Sequence, residues 1–243
     1  MDALRRAAHR VAKSSASVAL SGEPGSGKEH FARHVHHLVD ASAPFVRIDC
    51  GNTSEARIEW ALSDLPSLQS EGGTVFLDAL DVLPLGWQQR LASLLPAAQN
   101  GQGAGGRFRV VASLATNLSG AAGSGAIDTA LLARLELVEI SIPALRQRRT
   151  DIPALVEYFL GVYASRHGIA RCSLDRAGLI LLWQHDWPGN VRELEAVLER
   201  LAVLGRGRVV SVAELTALMF QDRWSSSRPA AVSPGLALRP AAG

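Results

Sequence analysis

The sequence contains little cysteine, few aromatic residues and no long apolar run. Only two cysteines occur in 243 residues, Cys50 and Cys172, which is too few for a disulfide framework or a cysteine metal site. No stretch approaches the 18 apolar residues of a transmembrane helix, and no apolar signal core follows the N-terminus. The formal net charge of +2 does not indicate a polyanion-binding protein. We therefore expect a cytoplasmic protein that makes no membrane contact.

The apolar residues are arranged in short runs that alternate with helical patterns. Apolar residues make up 47% of the chain and charged residues 20%, which favours a well-buried core over disorder. Repeated alternation of strand and helix predicts an α/β fold in which helices cover a parallel sheet. The predicted strands are residues 17–21, 45–48, 74–77, 108–114 and 137–142.

The pattern changes after Pro143, where helical periodicity continues without strands between the helices. The predicted helices are residues 151–166, 174–184, 189–204 and 211–220. Two glycine-rich segments, residues 100–107 and 119–126, are predicted to be flexible surface loops. The predicted domains are an α/β domain over 1–145, a small all-helical domain over 146–221 and a disordered tail over 222–243.

Residues 22–29 form a glycine-rich phosphate-binding motif, with the sequence Gly22, Glu23, Pro24, Gly25, Ser26, Gly27, Lys28 and Glu29. The run fits G-x-x-x-x-G-K between a predicted strand and a predicted helix, and Glu29 replaces the hydroxyl residue of the general motif. Glycines allow backbone N–H groups to approach one anion, and Lys28 supplies a charge for the outer phosphates. We expect ATP or ADP to bind here; the alternative is a glycine-rich turn before an ordinary helix.

A second element of a nucleotide site is the apolar run 73–77, which ends in Asp78. A carboxylate there can hold Mg²⁺, directly or through water, although a strand-end acid can also cap a turn. The usual second acid is replaced by Ala79, whose methyl group cannot accept a proton. Loss of a positioned base lowers a rate by about 10²–10⁴-fold. We therefore expect weak or no ATP hydrolysis unless Asp81 substitutes as the base.

Five stretches in order resemble the AAA+ domain of bacterial enhancer-binding proteins, the activators that remodel sigma-54 RNA polymerase. They are the phosphate loop, residues 44–50, residues 72–78, residues 134–135 followed by 142–153, and residues 187–195. The resemblance extends from about Met1 to Leu218. It implies a P-loop AAA+ domain of three layers followed by a helical lid. It also implies that Arg192 reaches the γ-phosphate from the sensor II helix. Arg134 is then a candidate trans arginine finger, which requires a ring-type oligomer.

Both arginines also have ordinary structural interpretations. Arg192 would instead lie on the helix surface and pair with Glu195 or Glu199. Arg134 would instead form a surface salt bridge.

This chain departs from the family pattern at several functional positions. The family has glutamate at Ala79, asparagine at Asp49 and the sensor I asparagine at Ala115. Asn117 fills the sensor I role only if the strand slips by two residues. One of the two trans arginine positions is occupied by Asp128.

The resemblance also indicates missing segments. Residues 51–73 contain no GAFTGA loop, the family's contact with the sigma factor, and we expect no sensing domain before the AAA+ domain and no helix-turn-helix after the lid. The favoured hypothesis is a regulatory protein that binds nucleotide and acts on protein partners, either itself or a related activator, without direct DNA contact. One alternative is a slow ATPase that uses Asp49 or Asp81 to remodel another target. Another is a decayed gene product.

Two polar clusters receive simpler interpretations. Four histidines within residues 30–37 lack the intervening acid of a zinc motif and are predicted to form a solvated helix face. Three arginines within residues 146–149 are predicted to be a solvated basic run at the domain junction rather than a DNA contact.

Overall fold

The structure is a computed structural model that describes residues 2–14, 16–51, 58–59, 72–94, 108–135 and 137–225. The chain folds into two compact units. The first unit contains the residues up to 152 together with residues 185–195, and the second contains residues 153–184 and those from 196 onward.

The first unit is built on a parallel sheet in the order β2-β3-β4-β1-β5. The strands are β1 (Val18–Ser21), β2 (Phe45–Asp49), β3 (Gly73–Asp78), β4 (Phe108–Leu114) and β5 (Val138–Ser141). Each predicted strand is confirmed to within two residues at either end. The central strand β4 is buried along its whole length, as its nearly continuous apolar sequence requires.

Helices cover both faces of this sheet. They are α1 (Asp2–Ala12), α2 (Lys28–Asp40), α3 (Leu85–Leu94), α4 (Leu118–Gly123) and α5 (Thr129–Leu135), with 3₁₀ turns at Leu80–Val82, Leu145–Gln147 and Arg149–Asp151. Because side chains alternate along a strand, Val18 and Leu20 pack on one face with residues of α1 and α2. Ala19 packs on the opposite face with residues of α3 and α5. The result is the expected three-layer α/β architecture.

The second unit is mainly helical. It contains all or part of the following elements: α6 (Ile152–His167), β6 (Ser173–Leu174), α7 (Arg176–Gln184), α8 (Asn190–Gly205), β7 (Val209–Val210) and α9 (Val212–Ser225). Helix α8 begins in the first unit and continues into the second. The four helices are confirmed, but the prediction that no strand separates them is wrong. Residues of β6 and β7 pair in parallel, Ser173 with Val209 and Leu174 with Val210. Two-residue strands are too short to produce a periodic sequence pattern.

Other sequence predictions are corrected or lie outside the described residues. The predicted loop 119–126 instead contains α4, because Asn117 Oδ1 accepts a hydrogen bond of 2.7 Å from Gly120 N and caps the helix. Helix α9 continues to Ser225, five residues beyond its predicted end. The predicted loop 100–107, the predicted tail beyond residue 225 and most of residues 51–73 lie outside the described residues.

The predicted histidine face is wrong for His36, which is only 5% exposed. Its Nδ1 lies 3.0 Å from Thr74 Oγ1, so this ring belongs to the packing between α2 and β3. Within the described ranges, no group of three or more histidine, cysteine, aspartate or glutamate side chains is arranged to hold a metal ion. In the same part of the chain, no helix is long and apolar enough to cross a bilayer.

Candidate functional site

The glycine-rich loop joins β1 to α2 at the carboxyl edge of the sheet. Gly22 and Gly25 adopt positive φ values of 147° and 74°. A Cβ at Gly22 would lie 2.5 Å from the Ile142 carbonyl oxygen, and one at Gly25 would overlap the Gly189 carbonyl oxygen. Only glycine permits this close approach of three backbone segments.

Lys28 and Ser26 give this loop its polar surface. Lys28 Nζ donates to the carbonyl oxygens of Gly22 at 2.5 Å and Glu23 at 3.1 Å. Burial lowers the pKa of Lys28, while the charges of Asp78 and Asp81 oppose that shift. Ser26 Oγ is buried and finds no hydrogen-bond partner among the described residues. An ammonium and an orphan hydroxyl on a glycine-rich loop are suited to oxyanion binding.

Glu23 ties the loop to two other segments of the first unit. Its carboxylate accepts two hydrogen bonds from Arg146, one of them 2.8 Å from Nη1 to Oε2. Asn190 Nδ2 donates to Glu23 Oε2 at 3.0 Å and to the Pro24 carbonyl at 3.1 Å, and Asn190 Oδ1 accepts from Leu145 N at 2.8 Å. The Arg146 hydrogen bond, followed by that from Asn190, lowers the pKa of Glu23 to about 2. The loop is thus held in one position by the start of α8.

Replacing Asn190 should destabilise the first unit strongly. Asn190 is fully buried and has φ 55°, a conformation that asparagine tolerates better than alanine. We expect Asn190→Ala to lower the free energy of unfolding by about 3 kcal/mol, because it leaves buried polar groups without partners. Urea denaturation measures the change. The matched control is Asn117→Ala, which removes an exposed helix cap and should cost about 1 kcal/mol. Equal losses in the two variants would contradict a special role for Asn190.

The arginines of residues 146–149 make specific contacts at and near the loop. Arg148 donates to the Ser26 carbonyl oxygen, and its side chain is only 12% exposed. Arg149 Nη2 lies 2.6 Å from Asp186 Oδ1. The prediction of a solvated run is therefore wrong for Arg148, whereas Arg146 is exposed as predicted but also pairs with Glu23 of the loop. The sequence around Arg146 and Arg148 does not indicate their contacts with the loop, because their partners lie more than 120 residues away.

The structure places Arg192 next to the loop, while its predicted contact with the γ-phosphate stays a prediction. Val191 N donates to the Gly25 carbonyl at 3.0 Å, and Arg192 Cβ lies 3.1 Å from where a Gly25 Cβ would stand. The positive charge of Arg192 also lowers the pKa of Lys28, after the larger effect of burial.

Asp78 stands at the end of β3 with both carboxylate oxygens engaged. Oδ1 accepts from Ser113 Oγ at 2.7 Å, and Oδ2 accepts from Arg47 Nη2 at 2.6 Å. Ser113 Oγ also accepts from the Ala79 backbone N–H at 2.8 Å. Ser113 and Arg47 were not identified as site residues from the sequence. A hydroxyl and a charged side chain inside otherwise apolar strands could have indicated them.

Arg47 contacts two further carboxylates besides Asp78. Its Nε lies 3.2 Å from Glu29 Oε2, and its Nη2 lies 3.3 Å from Asp49 Oδ2. Residues 49 and 78 are directly paired in the β2–β3 register, which places these acids side by side. The predicted loop residue Glu29 is thereby linked to the predicted strand-end acid.

The residues after β3 and β4 form the adjoining wall of the site. Ala79 adopts φ 56°, and its side chain is a methyl group. Asp81 Oδ2 accepts from Ala115 N at 3.0 Å, whereas Asp81 Oδ1 is buried with no partner among the described residues. Leu114 ends β4 opposite Ser21, and Ala115 directly follows the strand.

A cleft of about 400 Å³ lies beside the loop at the ends of β1, β4 and β5. It is lined by Gly22, Glu23, Ala115–Asn117 and Ser141–Ala144, together with Ser21 and Gln147. Ala115 therefore lines this cleft, and the side-chain oxygen of Asn117 accepts a hydrogen bond from α4; the assignment of Ala115 to the sensor I position stays a prediction.

Arg134 and Asp128 lie at opposite ends of α5. Asp128 Oδ1 accepts from Ala130 N at 2.8 Å and Leu131 N at 3.1 Å, so it caps the helix where the family pattern has an arginine. Arg134 is half-buried in the last turn, and its trans role stays a prediction.

These features define a P-loop nucleotide-binding α/β domain of the AAA+ class: a glycine-rich loop between β1 and α2, an acid at the end of β3 and a parallel five-stranded sheet. Residues 1–145 match the sigma-54 interaction domain family, and residues 146–231 match the AAA+ ATPase lid domain family. The chain therefore belongs to the sigma-54 interaction domain family of transcriptional regulators.

Several curated relatives are similar to this chain in sequence. The probable regulatory protein HrpR of the Pseudomonas syringae pv. syringae pathogenicity locus is 32% identical over 244 residues, which cover 89% of this chain and 78% of HrpR. The Nif-specific regulatory protein of Herbaspirillum seropedicae is 32% identical over 223 residues, covering 84% of this chain. The chain spans only 41% of the length of that relative.

Solved structures of NtrX from Brucella abortus share the fold. The complex of NtrX with ADP superposes with a TM-score of 0.75 and 28% sequence identity, and the match covers 94% of this chain and 57% of the NtrX chain. The complex with ATP superposes with a TM-score of 0.72 and 30% sequence identity, and the match covers 93% of this chain and 58% of the NtrX chain.

Proposed function

We propose that this chain is a nucleotide-binding regulatory member of its family that hydrolyses ATP weakly or not at all. ATP or ADP would bind with its phosphates on the loop of residues 22–29, next to Lys28 and Arg192. The orphan hydroxyl of Ser26 and the position of Lys28 support this proposal. The related NtrX structures in complex with ADP and ATP support it as well.

The observation that carries the weak-hydrolysis part is the pair of methyl groups at Ala79 and Ala115. Ala79 follows Asp78 at the end of β3, where a carboxylate would order and deprotonate the attacking water. Ala115 lines the cleft where an amide would contact the γ-phosphate. Neither methyl group accepts a proton or orders a water molecule.

A protein that binds nucleotide without rapid turnover acts through the contacts it makes. We propose that its partners are proteins, either copies of itself or a related AAA+ activator in a ring-type oligomer, with Arg134 facing a neighbouring nucleotide. Direct DNA contact and membrane contact are not part of this proposal, and the site of action would be the cytoplasm.

Two measurements on the purified chain test the proposal. Isothermal titration calorimetry should detect saturable binding of ATP and ADP. Phosphate release should be about 10²-fold slower than that of a family member with glutamate after the strand-end aspartate. Turnover equal to that of such an enzyme would overturn the weak-hydrolysis proposal, and failure to bind nucleotide would overturn the whole function.

A slow ATPase that remodels a target other than sigma-54 is the second candidate, and the geometry of Asp81 favours it. Asp81 Oδ2 is fixed by Ala115 N, but Asp81 Oδ1 is buried without a described partner and remains available to a proton. Asp49 is a poorer base, because its oxygens interact with Gly51 N and Arg47. Loss of the residual phosphate release in Asp81→Asn, with ADP affinity retained, would support this second candidate.

A further inference from the structure

The guanidinium of Arg47 lies among three carboxylates at the carboxyl edge of the sheet. Its Nη2 is 2.6 Å from Asp78 Oδ2 and 3.3 Å from Asp49 Oδ2, and its Nε is 3.2 Å from Glu29 Oε2. An arginine is well suited to this position, because its planar fork of five donors bridges several oxygens and stays protonated.

Asp78, one of these three carboxylates, is the residue predicted to hold Mg²⁺ beside the loop. Asp78 Oδ1 already accepts from Ser113 Oγ, and Asp78 Oδ2 already accepts from Arg47. Glu29 Oε1 accepts from Arg33 at 2.8 Å, while Glu29 Oε2 faces Arg47. Mg²⁺ requires octahedral oxygen ligation and keeps several water molecules, and a guanidinium in the same gap repels it. The residues present therefore do not fit a resident Mg²⁺ ion.

We infer that Arg47 takes the place of Mg²⁺ and that this chain binds nucleotide without a metal ion. This inference rests on the proposed nucleotide binding and specifies its metal requirement. Arg47 compensates part of the negative charge of Glu29, Asp49 and Asp78, which would otherwise repel the phosphates. The sequence-based expectation that Asp78 binds Mg²⁺ is replaced by an ion pair between Asp78 and Arg47.

Calorimetric titration of the full chain with ADP, in Mg²⁺ and in EDTA, tests the inference. The wild-type dissociation constant should be the same in both buffers to within about twofold. In Arg47→Ala, ADP affinity in EDTA should fall about tenfold or more, and Mg²⁺ should restore it, because the carboxylates are then open to the metal. Arg33→Ala is the matched control: Arg33 pairs with Glu29 but not with Asp78, so this variant should stay indifferent to Mg²⁺.

Two further experiments test the inference if Arg47→Ala does not fold. Arg47→Lys keeps the charge but loses the fork, and its ADP affinity should become Mg²⁺-dependent in the same direction. Electron paramagnetic resonance with Mn²⁺ needs no variant: wild-type protein should not tighten the binding of Mn²⁺ to ADP. A wild-type protein that binds ADP only with Mg²⁺ overturns the inference and leaves the proposed function intact. Absence of ADP binding in either buffer overturns both.

Discussion

Glutamate at position 79 should restore ATP hydrolysis once Arg47 is also removed. In Mg²⁺, we expect the double variant Ala79→Glu with Arg47→Ala to release phosphate about 10²-fold faster than wild type, near the lower end of the usual effect of a positioned base. The backbone at residue 79 is already fixed by the hydrogen bond from its N–H to Ser113 Oγ, so a new carboxylate would start from an ordered position. Ala115 and Asp128 still lack the family's side chains, which limits the gain.

The matched control replaces the same residue with glutamine in the same background. Ala79→Gln has nearly the same size and the same left-handed backbone cost but cannot accept a proton. Ala79→Glu alone should gain little, because residues that act together in catalysis are not additive. A full gain in that single variant would show that Arg47 does not keep the metal out. Equal rates for glutamate and glutamine would show that the missing base does not limit turnover.

Lys28→Ala should weaken ADP binding about 10²-fold, since it removes a charge-assisted contact to phosphate. The ammonium donates to the loop carbonyls of Gly22 and Glu23, so it lies where it could contact a phosphate bound to the loop. Calorimetric titration with ADP measures the loss, and urea denaturation shows whether the variant remains folded.

The chain's other lysine provides the control for charge. Lys13 is exposed after the end of α1, so Lys13→Ala should change ADP affinity by less than about twofold. If Lys28→Ala bound ADP as tightly as Lys13→Ala, the phosphates would not be held by this loop.

The sheet was predictable because fully buried parallel strands leave continuous apolar runs in the sequence. Residues 108–114 are buried throughout, and only Arg109 and Ser113 interrupt their apolar character. The glycine loop was predictable for a different reason, since its G-x-x-x-x-G-K spacing lies between a predicted strand and a predicted helix. The contacts that require glycine at residues 22 and 25, with the backbone of Ile142 and Gly189, were not visible in the sequence.

The supporting side chains of the site were not predictable, because their partners are set by the tertiary fold. Arg47 and Asp78 meet only because β2 and β3 are neighbours, and Ser113 meets Asp78 because β3 and β4 are neighbours. Asn190 pairs with Glu23 across 167 residues. Helix α4 was missed for a local reason: its glycine content argued for a loop, while the cap from Asn117 supports a helix.

The first unit is discontinuous along the chain, and this affects the order in which it can form during translation. Residues 185–195 supply Asn190 and the fully buried Trp187 to a unit whose other residues end at 152. At about 5–20 residues per second, a ribosome needs roughly 2–9 s to make residues 153–195 after adding Ile152. During that interval Glu23 has no Asn190 to bind. The nascent phosphate loop therefore matures only after the first helices of the second unit have been synthesised, so the two units are completed in an interleaved order.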